Sequence, residues 1–132
     1  SAQTNTASET HDLLNTVLSS LDDDKAVDVV SIDLKGKTSL ADYMVIASGT
    51  SQRHVSAMAD HLTRKTKETG LARPSVEGLA QSDWVLIDTG DVIVHLFRPE
   101  VRDFYGLEKM LSAELTDDFV PPAGSMAESA VG

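Results

Sequence analysis

Residues Trp84–Tyr105 read WVLIDTGDVIVHLFRPEVRDFY, and the pattern of this stretch decides the fold. Two apolar runs, Trp84–Asp88 and Asp91–Phe97, flank an Asp-Thr-Gly-Asp turn, which is the signature of a β-hairpin. Thr89 resists positive φ, so a two-residue type I′ turn is disfavoured. A type I turn with Gly90 in the left-handed region fits better. Pro99 then opens a helix, because the first helical position has no N–H bond to make. Val101, Phe104 and Leu111 fall on the inner side of that helix. A strand core that ends near a single His, followed by a short helix with mixed charge and paired aromatics, reads as a recognition surface rather than a reaction centre.

Upstream, Ala41–Ser48 (ADYMVIAS) is a continuous apolar run bounded by turn residues, the mark of a central strand buried on both faces. Gly49-Thr50-Ser51 ends it. A helix is predicted from Ser51 to Glu68, with Val55, Met58, Ala59 and Leu62 inward and Gly70 as its C-terminal stop. Pro74–Glu77 reads as a short strand starting at a proline, which suits an edge. Val27–Leu34 alternates as a half-buried strand does. From Ser8 to Asp24, Leu13, Leu14, Val17, Leu18 and Leu21 make one helical stripe. Ser8 or Thr10 would cap it, and Asp22, Asp23 and Asp24 sit badly at the negative end of its dipole, so its last turn is expected to fray. The order α-β-β-α-β-β-β-α defines an α/β (α+β) class with a five-stranded mixed sheet flanked by helices. Residues 1–7 and 116–132 are expected to be disordered, and residues 8–115 to form one domain.

Composition narrows the function. The chain has 132 residues and 41% apolar residues, enough for one domain with a core. No apolar run approaches the ~20 residues of a membrane helix, and no basic stretch precedes an apolar one as in a secretory signal. There is no cysteine, which excludes disulfides and thiolate metal sites and fits a reducing compartment such as the cytoplasm. The net charge of −10 repels phosphate, so direct nucleic-acid binding through a basic face, sequence-specific binding included, is not expected. The same charge would attract a basic partner over roughly 8 Å at physiological salt, or merely keep the protein soluble.

Each candidate site has a plainer structural reading. Gly49-Thr50-Ser51, between a strand and a helix start, could hold an anion on free N–H groups. It lacks the spaced glycines and lysine of a phosphate loop, and a turn with Ser51 as helix cap is preferred. Asp33, Asp42, Asp88 and Asp91 lie at strand ends, where carboxylates can hold magnesium for nucleotidyl transfer. No Asp-x-Asp follows Gly49, so a metal-dependent nucleotidyltransferase-like enzyme is the minor alternative. His54 and His61 lie about two turns apart on one helix, too far for one metal, and are read as solvated or partner-facing. His95 is read first as a sheet histidine and second as an interface hydrogen-bonder. Trp84 divides evenly between core and binding anchor, and Arg98, Glu100, Arg102, Asp103 and Tyr105 form either a solvated helix face or a protein–protein hot spot.

Taken together, ADYMVIASGTS, VEGL, WVLIDTGDVIVHLF and EVRDFYGLEKM resemble the Iojap family, the ribosomal silencing factors of bacteria and organelles, from about Leu13 to Leu111. The resemblance implies a nucleotidyltransferase-like domain without the catalytic carboxylates. It implies a binding protein without a cofactor, rather than an enzyme. Its partner would be the large ribosomal subunit, through that subunit's protein fourteen, where the domain would block joining of the small subunit and repress translation. It also implies a homodimer, and a partner surface at Trp84, His95, Arg98, Glu100, Arg102, Phe104 and Tyr105. The chain departs from the family pattern in two places. Thr89 stands where Tyr is frequent, and Met110-Leu111 stands where Leu-Trp is frequent.

Overall fold

The computed structural model describes residues 5–101. Two helices, α1 (Ala7–Asp23) and α2 (Gln52–Glu68), accompany five strands: β1 (Val27–Asp33), β2 (Tyr43–Ser48), β3 (Ser75–Glu77), β4 (Trp84–Asp88) and β5 (Val92–Phe97). The strands form one sheet in the order β1-β2-β5-β4-β3, in which β2 and β5 run parallel and every other neighbour is antiparallel. This is the five-stranded mixed sheet of the expected α+β class.

The two central strands are buried at all six positions. Alternation sends their side chains to opposite faces. Tyr43, Val45, Ala47, Val92, Val94 and Leu96 join Leu13, Val17 and Leu21 of α1 and Val55, Met58, Ala59 and Leu62 of α2 in the main core. Met44, Ile46, Ile93, Phe97, Trp84 and Leu34 form a second cluster on the other face, with Val101, Ile32 and Leu86 at its margin. Both described helices therefore lie on one face.

The N-terminal helix starts earlier than its sequence suggested. Thr6, not Ser8 or Thr10, is the cap, in a reciprocal box with Glu9: the Glu9 N–H donates to Thr6 Oγ1 (3.1 Å) and the Thr6 N–H to Glu9 Oε1 (2.9 Å). Asn5, inside the stretch expected to be disordered, donates from Nδ2 to the Leu71 carbonyl (3.0 Å) and to Asp91 Oδ2 (2.9 Å). The expected fraying at Asp22–Asp24 is also corrected. The end of α1 is held by cationic and imidazole groups of α2, which the α1 sequence alone could not reveal. His61 Nδ1 lies 2.7 Å from Asp24 Oδ2, and Lys65 Nζ lies 3.3 Å from Asp23 Oδ2. His54 Nδ1 accepts from the Thr50 N–H (2.9 Å), so its proton sits on Nε2, which donates to the Asp24 carbonyl (2.6 Å). These two histidines are thus helix–helix ties, and His61 keeps part of its side chain in solvent.

Two turn glycines behave as read. Gly70 (φ 75°) closes α2 and Gly90 (φ 96°) completes the β4–β5 turn, where its N–H donates to Asp88 Oδ1 at 2.8 Å. Gly49 is needed for another reason. Its N–H donates to the Phe97 carbonyl (2.8 Å) while α2 passes directly above it. A Cβ at this position would sit 2.8 Å from Val55 Cγ2, 2.9 Å from Met58 Cε and 3.1 Å from the Val55 backbone N. Gly49→Ala is therefore expected to lower unfolding free energy by about 1–3 kcal/mol, the usual penalty of overpacking. Urea denaturation of the two proteins checks this, and an unchanged midpoint would show that α2 is not seated on the end of β2.

Candidate partner-binding site

The hairpin brings the predicted residues to one end of the sheet. Trp84, at the start of β4, pairs with Phe97 at the end of β5, and Leu86 pairs with His95. Trp84, His95 and Phe97 share the second face. The Trp84 and Phe97 rings lie 5.2 Å apart, and His95 stacks nearly parallel to Phe97 at 6.0 Å. Trp84 Nε1–H, which can only donate, gives a 2.9 Å hydrogen bond to His95 Nδ1. That bond fixes the neutral tautomer with the proton on Nε2, and this N–H has no hydrogen-bond partner among the described residues.

Trp84 is 3% exposed and His95 0%, so both belong to the interior and neither is presented to solvent. Burial removes the water that would stabilise an imidazolium, and it pushes the His95 pKa down to about 4. His95 is a neutral packing and hydrogen-bonding group at pH 7.

The exposed part of the site begins one residue later. The Arg98 N–H donates to the Asp83 carbonyl (3.1 Å), extending the β4–β5 pairing. Arg98 Nε lies 2.7 Å from Asp83 Oδ1, an ion-pair separation whose N–H is not aimed along the contact, so charge rather than a directed bond holds it. Arg98 Nη1 donates to Glu100 Oε2 at 3.1 Å. Asp83 Oδ1 also accepts from Gln52 Nε2 (3.1 Å), which donates in addition to the Gln81 carbonyl (2.9 Å). The Ser82 N–H to Gly78 carbonyl bond (3.0 Å) and the Ser82 Oγ–H to Leu79 carbonyl bond (2.7 Å) close the 78–83 loop on itself. Residues from three separate segments thus form one polar edge, with Glu100 at its outer, exposed limit. Sequence reading had named Arg98 and Glu100 but missed Gln52, Gln81 and Asp83, because only the sheet order makes them neighbours. Arg102, Asp103, Phe104 and Tyr105, the expected helix beyond Val101 with Leu111, and the expected 116–132 tail all lie outside the described residues.

The remaining candidates have structural tasks. Ser51 caps α2, accepting from the His54 N–H at 3.1 Å, as preferred over an anion site. Asp33 Oδ1 accepts from the Lys35 N–H (2.9 Å), Asp88 from Gly90, and Asp91 from Asn5. Among the described residues no three His, Asp or Glu side chains gather as a metal site would require, and no helix is long and apolar enough to cross a membrane.

A five-stranded mixed sheet with both described helices on one face, and a polar edge beside a buried Trp–His pair, defines a domain of the α+β class. The family model described as "Ribosomal silencing factor during starvation" matches residues 7–129, and the chain belongs to the ribosomal silencing factor family. It is 56% identical over 98 residues to ribosomal silencing factor RsfS of Zymomonas mobilis, covering 74% of each chain. It is 33% identical over 108 residues to the mouse protein named mitochondrial assembly of ribosomal large subunit protein 1, covering 80% of this chain and 47% of that one. A crystal structure of a Chromobacterium violaceum protein superposes with a TM-score of 0.73 at 36% identity, covering 76% of this chain and 84% of that one.

The buried imidazole makes stability depend on pH in a defined direction. The unfolded chain takes up a proton at His95 near pH 6.5, whereas the folded chain does so only near pH 4. The contribution is therefore constant above pH 6.5 and is lost as pH falls from 6.5 towards 4. Over that interval the wild type is expected to lose up to about 3 kcal/mol more than a folded His95→Gln variant. Denaturant titrations at a series of pH values check this, and parallel pH profiles would contradict it.

Proposed function

We propose that this chain binds the large ribosomal subunit through that subunit's protein fourteen, and that the bound domain obstructs entry of the small subunit and so represses translation. The observation that carries this reading is the 56% identity to a ribosomal silencing factor over a region three-quarters of the chain long. The name of the mouse relative refers to the ribosomal large subunit, which supports that choice of partner. The chain's charge of −10 supports a basic protein as the surface it meets.

On this reading the work is steric. A rigid domain seated on one subunit occupies volume that the other must enter, and no bond is made or broken. Arg98 and Glu100, with Arg102, Phe104 and Tyr105 beyond them, supply the contact. Trp84 and His95 act from beneath, holding the end of β5 in place. The nucleotidyltransferase alternative gains no support from the strand-end carboxylates Asp33, Asp42, Asp88 and Asp91, since among the described residues no three His, Asp or Glu side chains gather as a metal site would require. On this reading the protein works in the cytoplasm and forms a homodimer.

A subunit-joining assay tests the function. Titrating the protein into purified large and small subunits is expected to reduce the yield of joined ribosomes, and undiminished joining at saturating protein would reject the reading. Glu100→Ala tests the contact. Glu100 is exposed and its single described ion pair is a surface one, so the fold should be retained. Co-sedimentation with large subunits is expected to weaken by about 2- to 10-fold, typical of losing an interface charge. Unchanged co-sedimentation would remove Glu100 from the contact.

A further inference from the structure

The net charge of the chain hides a local reversal. α1 carries Glu9, Asp12, Asp22 and Asp23 and no Lys or Arg. α2, packed beside it, carries Arg53, Arg64, Lys65 and Lys67 against Asp60 and Glu68, with no acid in its first turn. The acidic helix and the basic helix also differ in where their charges point. Val55, Met58, Ala59, Leu62 and Thr66 of α2 are buried. At ~100° per residue, Arg53, Arg64 and Lys67 fall within an arc of about 60° opposite that buried stripe and span about 21 Å of helix; exposed Asp60 falls in the same arc, so three cations less one carboxylate leave this face a net charge of +2. All three are exposed.

Their pairing is distinctive too. The flanking groups His61 and Lys65 are engaged with Asp24 and Asp23 of α1. Arg64 is paired with Asp60 one turn earlier. Among the described residues, no carboxylate lies within ion-pair distance of Arg53 or Lys67. Arg53 also borders a shallow depression between α2 and the 78–83 loop, lined by Ser56, Ala57, Asp60, His61 and Leu79. An acidic protein that keeps a net positive outward face on one helix has the means to meet negative charge there. The acidic remainder does not forbid this, because at physiological salt charges more than roughly 8 Å away are largely screened.

From this arrangement we propose that the outward face of α2 lies against the sugar–phosphate backbone of ribosomal RNA when the protein is on the large subunit, with Arg53, Arg64 and Lys67 contacting phosphates. The proposal rests on the large-subunit reading above. The geometry favours it, since Gln52 at the start of α2 is bonded to Asp83, the partner of Arg98. The helix therefore leaves from the proposed protein-contact edge, as part of the same rigid body. Backbone contacts of this kind add affinity without reading sequence.

The test compares two probes, whole large subunits and isolated protein fourteen, over a range of salt concentrations. The triple variant Arg53→Ala, Arg64→Ala, Lys67→Ala changes only exposed positions. It is expected to bind large subunits about ten-fold or more weakly, with the slope of log affinity against log salt reduced by about 2 to 3. Its affinity for the isolated protein should be unchanged. A second variant, Arg53→Lys with Arg64→Lys, keeps the charges and is expected to keep the slope. Unchanged subunit affinity and slope in the triple variant would overturn the proposal. Equal weakening towards both probes would also overturn it, because α2 would then be facing protein. If the wild type bound neither probe, the large-subunit reading itself would fall, an outcome separate from the other two.

Discussion

The parallel pairing of β2 with β5 is the constraint from which the rest of the structure follows. Two adjacent parallel strands cannot be joined by a tight turn, so the chain between them must cross over. Here that crossover contains α2, β3 and β4. Because both strands are buried at every position, each face of the sheet needs a cover, and the two described helices close only one. The pairing also sets the Gly49 N–H against the Phe97 carbonyl, which brings the end of β5 to the start of α2. Every contact in the polar edge depends on that juxtaposition. Gln52, Asp83 and Arg98 are far apart in the chain and meet only because their elements end at the same level of one sheet.

The elements were legible in the sequence because each carries its own pattern. The run YMVIAS has no polar interruption, the α2 stripe repeats at helical spacing, and Asp-Thr-Gly-Asp leaves few options for a turn. The ends of α1 were less legible. Thr6 competes as a cap with Ser8 and Thr10, and the winner is the residue whose third successor is Glu9, a pairing visible only once the box is considered as a unit. The stabilisation of Asp24 could not be read at all, since His54 and His61 come from another helix. The site divides in the same way. Arg98 and Glu100 stood out as a charged cluster after a strand, whereas Asp83 looked like a loop residue before Trp84. For Trp84 the sequence left core and surface evenly balanced. Its place opposite Phe97 of the fully buried strand β5 decides for the core.

That decision changes what Trp84 and His95 contribute to recognition. A buried indole that donates to a buried imidazole locks one tautomer and one ring orientation, and the stack on Phe97 restrains the third ring. Such a cluster offers no surface for binding, but it removes freedom from the strand ends that do. The Nε2–H of His95 has no hydrogen-bond partner among the described residues. The pair is best understood together, each group reducing the desolvation cost of the other.

Rigidity at this edge matters for a protein proposed to act as an obstacle. Occupying a volume inhibits joining only while the domain stays bound and does not deform under the approaching subunit. Ordering a loop at the moment of binding would cost about 0.5–1.5 kcal/mol for each immobilised side chain. The 78–83 loop avoids much of that cost, because it is already tied to itself and, through Gln52, to α2. The same tie fixes the direction of α2 relative to Arg98 and Glu100. In the proposed complex, a partner that meets the edge thereby sets where the outward face of α2 points, and the two proposed contacts together would hold the domain better than either alone. The effective concentration of the second contact is then fixed by the fold itself rather than by a flexible linker.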